Sequence, residues 1–477
     1  MTCDARTFGE RNFGSAELGD KRRTRRLVKV ADQMVHRPGG SLSEKINSPN
    51  ALKAMYRLLD SPSVSHGAIL KSHQRHLFDE VFPEQAGYTL MISDATELEY
   101  TRRESLAGDL GQIGNGFRRG FIAQNVLAVN PESRKTLGLA NQVLHRRPKV
   151  RQGETRTERQ KRQSRESLLW LKATRGLPSN RMLVDVCDRG ADTNEFIEHE
   201  SKSGRTFLIR SSQNRNCLVG HHPPLGADKM KLHDYARKRP SLGSWELQVA
   251  RKPEFKSPHR RKGKKRKVVR KKRTATMQVS AAPVSLKPSK TKSAPTIDIW
   301  VVRVWESNCP RGQEPMEWFL ITNHAVTTFE DAWQVVGWYE TRWVVEEYHK
   351  CLKTGMKIES YQFTNTARLE PAIALTSITA ITLLNLRDDS RDENTRDRPA
   401  IQYLDQDYIK ILSMWRHGKP RMDWSVGEFV LALARLSGHQ NRKNDHPPGW
   451  QKLWKGWHEL HAMLNGARFE KQSSKCG

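Results

Sequence analysis

Residues 339–353 read YETRWVVEEYHKCLK, and the reading of the whole chain turns on them. Tyr339, Arg342, Glu346 and Lys353 are separated by three, four and seven residues. At about 100° per residue they fall within roughly 60° of arc on one face of a helix. Val345, Tyr348 and Leu352 fall on the opposite face and give the helix an apolar side to bury. Gly355 follows closely, as expected where a helix ends. The spacing predicts a helix that presents one carboxylate flanked by two cations and a phenol. The same pattern also describes a solvated surface helix carrying an Arg342–Glu346 pair.

Two aspartates upstream favour the first reading. Asp94 closes the apolar run TLMISD (89–94), and Asp188 closes MLVDVCD (182–188). Both are expected at or just past the end of a short strand. Three carboxylates gathered from two strands and a helix repel one another unless a cation sits among them. An oxygen-only set of this kind suits Mg²⁺, with Mn²⁺ as substitute. Two such ions about 4 Å apart activate a water and stabilise a leaving oxygen in phosphodiester chemistry.

The chain has 477 residues and a formal net charge of 82 − 52 = +30, more than solubility requires. Such an excess calls for a polyanionic partner: nucleic acid first, an acidic membrane surface second. With 36 % hydrophobic residues, 13 Trp and 14 Phe, the chain is no disordered basic tail. The six cysteines form no C-x-x-C pair and no zinc spacing, so they read as reduced thiols of a cytoplasmic protein. The N-terminus MTCDARTFGERNFG has no apolar core of a signal peptide. The run AIALTSITAITLLNL (372–386) carries Thr and Ser, falls short of a bilayer, and reads as a buried helix; no membrane partner is expected.

The segments ISDAT (92–96), CDRGAD (187–192) and Y–x2–R–x3–E–x6–K (339–353) resemble, in order, the three signature segments of the DDE transposases, and more narrowly the insertion-sequence IS-four family. The resemblance implies a cut-and-paste transposase that is cytoplasmic and acts at the bacterial nucleoid. It makes Asp94, Asp188 and Glu346 the ligands of two Mg²⁺ ions. Tyr339, Arg342 and Lys353 would hold the DNA backbone beside the scissile bond, with Lys350 and His349 close by. Arg210 and Arg215 match family positions near the DNA. The partners implied are double-stranded DNA, as transposon ends and target, and a second copy of the chain in a synaptic complex. Two rivals stand beside this reading: a non-transposing ribonuclease-H-type nuclease, and a silent DNA-binding relic that inhibits transposition.

Residues 1–72 read as a helical unit. Leu27, Val30, Ala31 and Met34 share one side of a helix, and Leu52, Met55 and Leu59 share another that Asn50 is expected to cap. KRRTRR (21–26) precedes the first stripe, and cations at a helix N-terminus oppose the dipole, which favours a binding role. The resemblance assigns Arg22, Arg23 and Arg26 there to reading the transposon end. From 73 to 370 the predicted order is three strands, helix, strand, helix, strand. That is the order of a ribonuclease-H-like core, in which the first strand, the fourth strand and a late helix converge. The fold class expected is therefore α/β: a ribonuclease-H-like catalytic core flanked by an N-terminal helical DNA-binding domain and a C-terminal helical domain, 371–477.

Glu346 lies 158 positions after Asp188, which requires an insertion, placed at about 215–316 and β-rich in SWELQVA (244–250), ATMQVSA (275–281) and TIDIWVVRVW (296–305). Within it, 251–273 hold fourteen Lys or Arg that act on DNA by charge or form a solvated loop. Trp318, in PMEWFLIT (315–322), reads alone as core; the resemblance implies that it stacks a flipped base. Near the C-terminus, Trp450, Leu453, Trp454, Trp457, Leu460 and Leu464 recur at helical spacing. They read as terminal-domain packing, and the resemblance offers the stripe as the dimer contact.

Overall fold

The computed structural model describes residues 6–37, 39–46, 48–149, 152–224, 227–250, 272–287, 295–442, 445 and 447–473. They form two compact units, one from residues 1–178 with 342–477, the other from 179–341. Most of the lysine-rich stretch, 251–271, lies outside the described residues.

The first unit opens with helices. The helix Lys21–His36 begins at Asp20, whose carboxylate accepts from the Arg22 N–H at 2.7 Å. It buries Leu27, Val30, Ala31 and Met34, the stripe its sequence predicts. Gly9 of the preceding helix lies against it, where an added Cβ would meet the Val28 carbonyl oxygen at 2.3 Å. The helix Pro49–Leu59 is capped by Ser48, not by Asn50. Proline already has a helix-compatible φ and no N–H to lose, so Pro49 takes the first helical position and the cap falls one residue before it.

Four strands follow in this unit: β1 (Thr89–Glu99), β2 (Gly111–Gln112), β3 (Arg119–Val129) and β4 (Thr136–His145). β3 pairs antiparallel with β1 on one edge, and with β4 and β2 on the other. The unbroken apolar run of β1 ends at Ile92, yet the strand runs on to Glu99, because Ala95–Glu99 keep pairing with Gln124–Gly120. Asp94 therefore lies mid-strand, opposite Asn125, rather than at a strand end.

C-terminal helices complete the first unit. Tyr408, Leu412, Phe429, Leu433, Leu453, Leu460 and Leu464 share one core. Trp457 packs on that core, its ring 4.8 Å from Tyr408, and Trp450 is buried. Trp454 lies against Gly39, where an added Cβ would come within 3.3 Å of its ring. The tryptophan stripe thus contributes packing within its own unit, with Trp450 buried and Trp454 and Trp457 half-buried. The run 372–386 divides at Ala380 into helices Thr366–Thr379 and Ile381–Arg391. Thr366–Asp389 is long and apolar enough to cross a membrane by length and composition, but 82 % of its most apolar window is buried in the fold.

The described residues of the second unit form eight strands: β5 (Leu183–Cys187), β6 (Thr206–Arg210), β7 (Asn216–Val219), β8 (Lys229–Lys231), β9 (Gly243–Val249), β10 (Arg273–Leu286), β11 (Ile297–Glu306) and β12 (Glu317–Thr322). β5 and β6 are parallel, joined through the helix Asn194–Ser201, which Thr193 caps. β12 pairs antiparallel with β6, β11 with β12, and β10 with β11; β9 and β7 flank β10, and β8 pairs with β7. Strands β7 to β11 fall inside the stretch expected as a β-rich insertion.

Candidate functional site

In the first unit the structure brings two of the three carboxylates together around a cation. Arg342 donates from one guanidinium nitrogen to Asp94 Oδ2 at 2.9 Å and from the other to Glu346 Oε1 at 2.7 Å. All three side chains are partly exposed. Two elements far apart in sequence hold this bracket, β1 and the helix Trp343–Lys350. The helix is anchored by Val344, Val345 and Tyr348, all buried, and Tyr348 donates to the Ser377 carbonyl at 3.0 Å.

The helix expected over 339–353 is not continuous. One helix, Phe329–Thr341, ends before Arg342; the next spans Trp343–Lys350 and closes in a π-helical turn, Cys351–Gly355. The Met356 N–H completes that turn on the Cys351 carbonyl at 2.7 Å. The wider turn moves Lys353 off the ideal helical stripe, and its ammonium lies 3.7 Å from Glu359. Gly355 is not the left-handed terminator; Lys357 takes that conformation at φ 50°. Gly355 is small for packing, since an added Cβ would meet Leu383 at 2.9 Å.

His349 is half-buried beside the bracket. Burial, with help from Lys353 and Arg342, pulls its pKa down to about 3, so it is neutral at physiological pH. Its Nε2 lies 3.1 Å from Asn125 Nδ2. Lys350 is exposed and its ammonium sits over the Trp343 ring, 4.7 Å from the centroid. Asn125 and Trp343 were not singled out from the sequence, although signals existed. Gln124 and Asn125 break an otherwise apolar strand, and Trp343 stands off the apolar face of its helix with 52 % of its surface exposed.

The second unit carries the third carboxylate. Asp188 stands just past β5, as expected, and accepts from the Gly190 N–H at 3.0 Å to cap a 3₁₀ turn. Four residues on, Asp192 is buried and accepts from the N–H groups of Ser212 and Gln213 at 2.7 and 2.9 Å. Arg215, expected near DNA, is committed to the Asp192 carboxylate and also donates to Asn194 Oδ1 at 3.0 Å. Arg210, at the end of β6, has no ion partner among the described residues and is half-exposed. Trp318 and Tyr339 come together, ring centroids 6.2 Å apart, with Tyr339 buried and Trp318 half-buried. Among the described residues, no group of three His, Cys, Asp or Glu side chains stands ready to hold a metal ion.

The N-terminal arginines have different tasks. Arg22 is exposed beside Asp20, and Arg26 is half-buried. Arg23 turns inward and donates to the Leu18 carbonyl at 2.9 Å and to Ser63 Oγ at 3.0 Å. Residues 5–64 match the family model described as transposase DNA-binding. The N-terminal helices are thus a DNA-binding module of the transposase type, and the partner they point to is DNA.

Proposed function

We propose that this chain is a DDE transposase resembling the IS-four family, which binds transposon ends, cuts them and transfers the freed 3′ ends to target DNA. The observation that carries the reading is the Asp94–Arg342–Glu346 bracket: two carboxylates from β1 and a distant helix face one positive charge. Carboxylates so arranged are a donor set for a hard cation, and Asp188, partly exposed beyond β5, has the same chemistry. Asp94, Asp188 and Glu346 would hold Mg²⁺, or Mn²⁺ in its place. Bound there, two such ions supply activation of the attacking oxygen and charge stabilisation at the leaving one. Arg342 would pass from the carboxylates to a phosphate, since a planar guanidinium pairs well with either. Lys350 on that helix and Lys353 in the π-helical turn after it add cations, and Trp318 with Tyr339 supplies an aromatic pair for an extruded base.

The reaction assigned is hydrolysis of one phosphodiester, which breaks the P–O3′ bond and frees a 3′-OH. That hydroxyl attacks the opposite strand to close a hairpin; hairpin opening and transfer to target reuse the same groups. Two copies of the chain would act together at paired ends. The test is incubation with Mg²⁺ and a plasmid carrying the inverted repeats that flank the coding sequence. Excised fragments joined to target with short duplications support the reading. Cutting without joining would leave a ribonuclease-H-type nuclease, and binding without cutting would leave an inhibitory relic.

A further inference from the structure

We propose that Asn125 is a positioning residue that holds His349 as a neutral donor, protonated on Nδ1, for a phosphate oxygen beside the carboxylates. The inference rests on the reading of these carboxylates as a DNA-cutting site and adds to it the tautomer and the residue that sets it. Asn125 Nδ2 lies 3.3 Å from the Ala123 carbonyl oxygen and 3.1 Å from His349 Nε2. A carbonyl only accepts, so the atom facing it is the amide nitrogen. The same nitrogen donates to His349, so Nε2 carries no proton and the proton of the neutral ring is on Nδ1.

The rest of the network agrees with this polarity. Asn125 Oδ1 accepts from Gln142 Nε2 at 2.7 Å, and that nitrogen also donates to Ser377 Oγ at 2.9 Å. Gln142 Oε1 then faces His66 Nε2 at 3.0 Å, which makes His66 the donor. One carbonyl thus sets the direction of every bond from β3 through β4 to His66, the first residue of the helix His66–Arg75. Asn125 also stands opposite Asp94 in register, and His349 is one helical turn from Glu346. A fixed neutral donor at this place stabilises developing negative charge without adding a fourth cation.

Nitrogen-15 NMR of the full chain, with and without a duplex carrying the end repeat, reads the tautomer directly. His349 is expected as the Nδ1–H form in both samples. In Asn125→Asp, which can only accept, the ring is expected to reverse to Nε2–H, and cleavage to fall by about a hundredfold while end binding is kept. Should that variant unfold, two others decide. His349→Asn keeps a donor near the Nδ1 position and is expected to retain cleavage well above His349→Gln, which keeps one near Nε2. A purely structural role would not separate those two. An Nε2–H ring in the wild type, or equal cleavage by the Asn and Gln variants, overturns the proposal. A wild-type protein that binds ends but cuts no DNA would overturn the cleavage reading and with it the phosphate role, while the spectra would still decide what Asn125 does.

Discussion

At the scale of single residues, similar side chains have been given opposite work. Arg23 and Arg22 are neighbours in one basic run, yet Arg23 donates to Leu18 and Ser63 while Arg22 faces solvent. Arg23→Ala is therefore expected to lower stability by about 1–3 kcal/mol in urea unfolding, the cost of stranding partly buried acceptors. Arg22→Ala is expected to leave the unfolding midpoint unchanged and to weaken end binding. The inward turn was legible in principle: Arg23 lies four and seven residues before Leu27 and Val30, on the buried stripe. A run of like charges hides that periodicity. Arg342 offers a second contrast. As a guanidinium between Asp94 and Glu346 it competes with any other cation for them. Arg342→Gln is expected to bind Mn²⁺ more tightly than wild type when titrated without DNA, and to cleave DNA less well. Weaker Mn²⁺ binding would show that the arginine holds the carboxylates in place rather than competing for them.

At the scale of elements, the strands and helices expected around Asp94, Asp188 and Glu346 are present, and the departures share one cause. Where the neighbouring chain decides, a local pattern falls silent. β1 overruns its unbroken apolar run because β3, more than twenty residues away, goes on pairing with it. The helix after Arg342 widens at Cys351–Gly355, where Gly355 packs against Leu383. Lys45 adds a tie at that turn: its buried ammonium donates to the Met356 carbonyl at 2.5 Å and the Gly40 carbonyl at 3.1 Å. Burial above all lowers its pKa to about 7 from an ordinary 10.5. A lysine so depressed favours the fold fully above pH 10.5, and that contribution is lost as pH falls toward 7. Wild type is therefore expected to gain stability over Lys45→Met between pH 7 and 9.5, by a few kcal/mol at most. An equal difference at both pH values would contradict this. The tryptophan stripe is tested in the same way: Trp457→Ala should lower the unfolding midpoint because its ring packs on Tyr408 and the C-terminal core. An unchanged midpoint with lost self-association would return the stripe to an intermolecular role.

At the scale of the whole molecule, charge and the N-terminal module point the same way. A +30 chain with a transposase DNA-binding module is built for a polyanion. If about a dozen phosphates are neutralised, log K should fall with log[salt] at a slope near −10; a slope shallower than about −3 would place most of that charge away from the interface. The partner was legible because net charge is a sum over the chain and needs no fold. The Arg342 bracket was not, because it joins residues 248 apart through a register that only β3 reveals. Asp94, Glu346 and Asp188 are proposed to cut DNA together. Strand cleavage of an end duplex in Mg²⁺ by Asp188→Asn, with end binding measured on the same sample, tests this joint role. Asparagine keeps an oxygen for the Gly190 N–H and so preserves the local turn while removing the charge. Cleavage is expected to be abolished with end binding unchanged; cleavage at the wild-type rate would show that Asp188 is no part of the cutting site.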